Sequence, residues 1–340
     1  MRLPILAAVM SVLIGGAGPA GADYRVREIG SFHIGGRDVV LSGLPIQELS
    51  FTAGMAPIKV DPNGEFVAGQ MYVQYVRLAE PRRLPILFWH GGGLSGVAWE
   101  TKPDGKPGWQ QFFLAAGYDT YVSDAVERGR ASWARYPEIY PSAPFFRPKK
   151  EAWELFRIGP TYAVGGRREA FPDTQFPIEA FDQFARQQVP RWASNDAATQ
   201  AAYDALVQKV CPCIVIVHSQ GGNFGFRAAL NAPDKVRALV AIEPSGAPDP
   251  ATVDLARIRG VPHLVVFGDH LQDSPPWQTF VRAPRRYATA LAEAGGTAIW
   301  LDLPAEGVRG NSHMVMMDRN SDAVAQRVQD WLVRIVPELR

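Results

Sequence analysis

The stretch that most constrains this chain is Cys213-Ile-Val-Ile-Val-His-Ser-Gln-Gly-Gly222, an apolar run that stops at a serine and enters a segment with helical character over Gln220 to Leu230. An unbroken β-rich apolar run bounded in this way reads as a strand buried on both faces, as in parallel sheets covered by helices. A serine on a tight strand-to-helix turn has strained dihedrals and a projecting hydroxyl, and its neighbours must be small because backbone passes close by. Gly221 and Gly222 meet that need. Val217 stands where the G-x-S-x-G pattern has its first glycine, so the motif is imperfect.

The rest of the chain supports the same architecture. Apolar runs at Leu84 to Trp89, Thr120 to Ser123, Ile214 to His218, Ala238 to Ile242, His263 to Phe267 and Thr297 to Leu301 alternate with helical segments. Helices are predicted over Gly108 to Ala116, Gln220 to Leu230, Pro284 to Ala294 and Ser321 to Ile335. This alternation predicts an α/β fold with a mostly parallel central sheet flanked by helices. Asp38 to Leu41 and Tyr72 to Arg77, with turn chemistry at Asp61-Pro62-Asn63-Gly64, predict an antiparallel edge. From 131 to 210 the chain is rich in proline and aromatics, among them Trp133, Trp153, Phe156, Phe176, Phe184 and Trp192. That is too apolar for a linker and reads as an inserted cap.

With 340 residues, 47% of them hydrophobic and 20% charged, and a net charge of +1, the chain is neither disordered nor built to seek nucleic acid. Residues 1–22 read as a signal peptide: Arg2, an apolar run from Leu3 to Ile14, and Ala20-Gly21-Ala22 as cleavage site. The apolar run is too short to span a bilayer, so the expectation is a periplasmic or secreted domain over 23–340 with no membrane contact after cleavage. Cys211 and Cys213 flank Pro212; a bridge across one residue closes a very small loop, and they read as small residues at a strand start whose oxidation is left open.

Three further features carry chemistry. The strand ending at Trp89 runs into His90-Gly91-Gly92-Gly93-Leu94-Ser95-Gly96. Glycines there let backbone N–H groups approach a developing oxyanion, and the expected donors are Gln220 N–H and Gly92 N–H, with Gly93 next. The spacing fits neither dinucleotide-binding nor P-loop patterns. Of six histidines, His313 lies in the loop before the final helix, where the chain order serine, acid, histidine puts a general base; His270 is the fallback. For the acid, Glu243 at the C-terminal end of a buried strand is favoured over Asp269 and Asp273 in the following turn, because a buried charge there requires a partner.

Together, His90 to Gly96, Thr101 to Trp109, Arg128-Gly129-Arg130, His218 to Gly222, Glu243-Pro244-Ser245 and Gly310 to Met314 resemble secreted bacterial esterases of the α/β-hydrolase superfamily whose triad acid is a glutamate after the sixth strand. The resemblance runs from about residue 85 to the C-terminus and covers the cap least. It implies the α/β-hydrolase fold, Ser219, Glu243 and His313 as triad, and Gly92 and Gln220 as oxyanion donors. Some members carry adjacent cysteines where this chain has Gly92 and Gly93, so nothing that depends on a disulfide there transfers.

The expectation is therefore a serine carboxylic ester hydrolase, working through an acyl-enzyme without cofactor or metal, on a small-molecule ester with a hydrophobic acyl or aryl group rather than a charged one. A lactonase or amidase using the same residues, or a non-catalytic binding protein keeping the fold, are the alternatives. Homodimer formation is left open.

Overall fold

The structure, a computed structural model, describes residues 23–339. The expected signal peptide over 1–22 lies outside the described residues. Chain order begins with β1 (Val26–Leu41), the short hairpin β2 (Gln47–Leu49) and β3 (Ile58–Val60), then β4 (Gly64–Leu78), β5 (Ile86–Trp89), α1 (Val97–Glu100), α2 (Trp109–Ala115) and β6 (Thr120–Asp124). An insertion follows with α3 (Lys149–Leu155), the hairpin β7 (Thr161–Tyr162) and β8 (Arg168–Glu169), and α4 (Phe181–Ala185). The chain then continues through α5 (Asp196–Val210), β9 (Cys213–His218), α6 (Gly221–Asn231), β10 (Val236–Ile242), β11 (His263–Phe267), α7 (Pro275–Phe280), α8 (Arg282–Glu293), β12 (Ala298–Asp302) and α9 (Ser321–Ile335).

Eight strands form one sheet in the order β1-β4-β6-β5-β9-β10-β11-β12. From β6 to β12 the pairs are parallel, whereas β4 runs antiparallel to β6 and β1 antiparallel to β4. This is the predicted α/β-hydrolase fold with its antiparallel edge. The edge strands are far longer than their apolar patches suggested, because β1 and β4 pair from Val26↔Leu78 to Leu41↔Gly64. Asn63 secures the expected turn: its amide exchanges hydrogen bonds with Leu44 N and O at 2.8 and 3.0 Å, and its own N–H donates to Asp61 at 3.0 Å.

Alternation along the buried strands sends side chains to two cores. Ile86, Phe88, Ile214 and Ile216 face the layer containing α2 and α9, while Leu87, Trp89, Val215 and Val217 face α5, α6 and α8. The missing motif glycine finds its explanation here. A Cβ on Gly225 of α6 would sit 2.8 Å from Val217 Cγ1, so the room usually made on the strand is made on the helix instead.

Within the 131–210 stretch expected as a cap, α5 packs its Ala202, Tyr203, Leu206 and Val207 into the second core and so belongs to the helix layer on the sheet. Trp153, Phe156, Phe176, Phe181 and Phe184 of the insertion join the first core, whereas Trp133, Tyr136, Phe145 and Phe146 are exposed. Cys211 and Cys213 are joined as a disulfide. Among the described residues no helix is long and apolar enough to cross a membrane.

Candidate active site

Gly92, Ser219, Gln220 and Glu243 follow the ends of strands of the parallel sheet, and His313 lies in the loop between β12 and α9. Ser219 follows β9 and Glu243 follows β10, which is the sixth strand of the main sheet in chain order. Both are left-handed, with φ of 53° and 51°. A non-glycine residue in that region costs about 1–3 kcal/mol. Pairing across the strand ends holds them there: Ser219 N–H donates to Ile242 O at 3.0 Å, Glu243 N–H to Val266 O at 2.8 Å, and Ser245 N–H to Ser219 O at 3.2 Å. The glycines are steric necessities. A Cβ on Gly91 would lie 2.7 Å from Ser219 Cβ, on Gly221 2.8 Å from His90 O, and on Gly222 2.6 Å from Pro244 Cβ.

Glu243 and His313, far apart in sequence, meet at 3.1 Å between Glu243 Oε2 and His313 Nδ1. Neither Asp269 nor Asp273 makes such a contact with His313. Asp269 accepts from His270 N–H and Gly310 N–H at 2.8 and 3.0 Å, while Asp273 and Asp173 pair with the two ring nitrogens of His270 at 3.0 and 2.9 Å. His270 stacks on Phe171 with ring centroids 3.7 Å apart, so the fallback base is committed elsewhere.

Four residues outside the expected set shape this site. Arg157, in the insertion just after α3, is 1% exposed; its Nη2 donates to Glu243 Oε1 at 2.6 Å and its Nε to Asp269 O at 2.7 Å. Gly268 N–H donates to the same Glu243 oxygen, so the fully buried carboxylate is partnered on both oxygens. Asp318, buried in the loop before α9, accepts from Ser312 N–H, Ser312 Oγ and Asn311 Nδ2 at 2.8, 2.7 and 2.9 Å, fixing the backbone on which His313 stands. Burial pushes its carboxyl up to about 7. His218 Nε2–H donates to His313 O at 2.9 Å, which leaves Nδ1 as the unprotonated ring nitrogen, beside Gly91. His90 donates from Nδ1 to Gly91 O at 2.8 Å and accepts from Ala125 N–H at 3.0 Å through Nε2. That tautomer pins the glycine loop, and burial first, then Arg128, lowers His90 to about 4. No periodicity could have revealed these roles, since each is set by hydrogen bonds that only the folded chain brings together.

The electrostatics keep His313 neutral. Burial, then the guanidinium charges of Arg157 and Arg147, hold it well below the usual histidine range. Contact with Glu243 alone would favour the imidazolium, but Arg157 occupies the other oxygen of that carboxylate and cancels much of its field. Phe156 and Trp277 flank the His313 ring at centroid distances of 5.1 and 4.3 Å.

Across from His313 lies the glycine loop, with Gln220 at the start of α6, where leading backbone N–H groups lack intrahelical acceptors. The insertion is hydrogen-bonded to segments on both sides. Val189 N–H donates to Gly93 O at 3.0 Å, Gln175 N–H to Gly310 O at 2.7 Å, and Phe156 O accepts from His313 N–H at 2.8 Å. Ser219 is 9% exposed and His313 1%.

A serine on a left-handed strand-to-helix turn, a buried histidine–carboxylate pair and a glycine loop beside them, all at the C-terminal ends of one parallel sheet, define the serine-hydrolase class of α/β fold. Known proteins agree. A bacterial esterase of solved structure is 36% identical, with 93% of this chain and 98% of that one covered at a TM-score of 0.80. A protein of Fungal sp. (strain ATCC 74256), named "Probable secreted lipase phiG", is 29% identical over 324 residues, spanning 79% of this chain and 87% of that one. No family model matches the chain. The chain belongs to the esterases of the α/β-hydrolase superfamily, and it is an esterase-like serine hydrolase.

Proposed function

We propose that the chain hydrolyses carboxylic esters through an acyl-enzyme on Ser219. His313 takes the Ser219 proton as Oγ bonds to the carbonyl carbon, then delivers it to the departing alkoxide as the ester C–O bond breaks. Water, deprotonated by the same imidazole, releases the acid and restores the serine. Glu243 holds the His313 tautomer with the proton on Nδ1 and stabilises the imidazolium that forms transiently. Backbone N–H groups of Gly92 and Gln220 receive the oxyanion. The observations that carry this reading are the 3.1 Å contact between Glu243 and His313 and the left-handed turn at Ser219.

The aromatic rings of Phe156 and Trp277 against His313 support an apolar or aryl alcohol as leaving group, because the leaving oxygen must reach that imidazole. The insertion from about 131 acts as a cap over the site, on the strength of its bonds to the Gly93, Gly310 and His313 segments. The signal pattern of residues 1–22, the likeness to a secreted lipase and the Cys211–Cys213 disulfide support export to an oxidising compartment. The decisive experiment is hydrolysis of a short-chain chromogenic ester by wild type and Ser219→Ala. The proposal expects turnover by the first and a loss of several orders of magnitude in the second; near-normal turnover by the variant overturns it.

A further inference from the structure

Three arginines converge on the glycine loop, and protein carboxylates do not neutralise all of them. Arg128, at the end of the β6 segment, is 4% exposed; its Nη2 lies 3.4 Å from Gln220 Oε1, while its Nε and Nη1 are buried without a hydrogen-bond partner. Arg191, from the insertion, donates through Nη1 to the same Gln220 oxygen at 2.7 Å. Arg147, also from the insertion, has a buried, unpartnered Nε; a Cβ on Gly93 would come within 3.4 Å of it, and one on Gly92 within 2.7 Å of Arg191 Nη1.

The balancing charges are few. Glu151 pairs with Arg147. Asp196 acts on Arg128 at longer range and lies 3.5 Å from Gln220 Nε2. Glu243 is already shared between Arg157 and His313. Burial and the repulsion from Arg191 and Arg147 bring Arg128 down to about 9, which marks the cost of gathering these groups. A buried cation without a carboxylate partner is expensive, so a fold that holds Arg128 in this way, with Arg191 and Arg147 close by, is served by a compensating charge at some stage of its cycle. Gln220 Oε1 is a neutral oxygen accepting from two guanidinium groups. A carboxylate oxygen is the stronger acceptor for the same donors.

We propose that the substrate is an anionic ester, a monoester of a short dicarboxylic acid, whose free carboxylate displaces the Gln220 amide oxygen from Arg128 and Arg191. The inference rests on the esterase reading above. His313 must protonate the leaving alkoxide, which puts the alcohol against Phe156 and Trp277; the acyl chain therefore extends away from His313, toward the glycine loop and its arginines. Ser219 Oγ bonds to the esterified carbonyl, the alcohol leaves with the His313 proton, and water releases the dicarboxylate. Selection for charge at this end departs from the expectation, drawn from the aromatic content of the insertion, that a charged ester fits less well.

The test compares kcat/KM for monobenzyl glutarate and benzyl pentanoate, which share alcohol and acyl length and differ in a terminal carboxylate. Charge-assisted bonds of this kind predict roughly a 10- to 100-fold preference for the anionic ester, weakening with salt. Arg128→Gln and Arg191→Gln each reduce that ratio by about 10-fold or more, chiefly through KM. Gln220→Glu keeps the backbone N–H and supplies a built-in carboxylate to the same guanidinium groups, so it also collapses the ratio, while remaining nearly isosteric. Equal rates for the two esters in wild type, or faster hydrolysis of benzyl pentanoate, overturn the proposal and leave the esterase reading standing. Calorimetric titration of glutarate into Ser219→Ala protein reads the anion site without turnover. Salt-sensitive binding that Arg191→Gln weakens supports the site even if no ester is cleaved, and the absence of binding counts against it.

Discussion

Arg157 and His313 grip opposite oxygens of the buried Glu243 carboxylate, at 2.6 and 3.1 Å. The arginine comes from the insertion and the histidine from the loop before α9, so one carboxylate ties these two segments together. Removing one partner of a buried ion pair costs about 3–5 kcal/mol, because the other charge is left uncompensated. Arg157→Met is therefore expected to lower the melting temperature by many degrees as well as kcat, with Arg157→Lys recovering part of each. Thermal melts and steady-state kinetics on the two variants check this.

A separate consequence concerns pH. The resting His313 sits well below 6.5, through burial and then the Arg157 and Arg147 charges. A general base must be unprotonated, and a lowered value means it stays so as pH falls through the ordinary histidine range. The acid limb of kcat/KM is expected to have its midpoint below 6.5. Arg157→Met removes one source of the lowering and moves the limb to higher pH. A wild-type limb at or above the ordinary histidine value contradicts the assignment.

The acid itself is tested by three single variants. Glu243→Gln keeps the shape but misplaces the imidazole proton, and is expected to lower kcat by roughly 10² to 10⁴. Asp269→Asn and Asp273→Asn are expected to be mild by comparison, since their carboxylates serve His270 and the Gly310 backbone. A large loss at either aspartate with a small one at Glu243 reverses the roles.

Stability should carry the signature of Asp318. Burial holds its carboxyl near 7 in the fold, above the ordinary aspartate value of 3.8, so folding favours the protonated carboxyl. The associated stability is fully present below the unfolded value and is lost as pH rises through the folded one. Wild type should lose melting temperature between about pH 4 and about pH 7 more steeply than Asp318→Asn, whose neutral side chain does not titrate. Parallel slopes in the two proteins count against the account.

The sheet was legible in the sequence because both-face burial writes continuous apolar runs, and the predicted strands agree with β5, β6 and β9 to β12 within two or three residues at each end. Ser219, the glycine loop, Glu243 and His313 were legible because each follows a strand or precedes a helix in a fixed order. The length of β1 and β4 was not, since partly exposed antiparallel edges tolerate polar and glycine residues such as Gly35, Gly36 and Gly69. Arg128 stood out only within the Arg128-Gly129-Arg130 motif, and Arg147, Arg157 and Arg191 were invisible for a different reason. A buried arginine reads as a surface arginine until its partner is known, and these partners come from other segments of the chain.

The central claim is that Ser219 is a nucleophile activated by His313. Incubation with a fluorophosphonate, whose phosphorus accepts Oγ while fluoride leaves, followed by peptide mass mapping, tests it without any choice of substrate. The account predicts one covalent adduct, on Ser219, absent in Ser219→Ala and formed far more slowly in His313→Ala. An adduct on another residue, or equal labelling of wild type and Ser219→Ala, contradicts it.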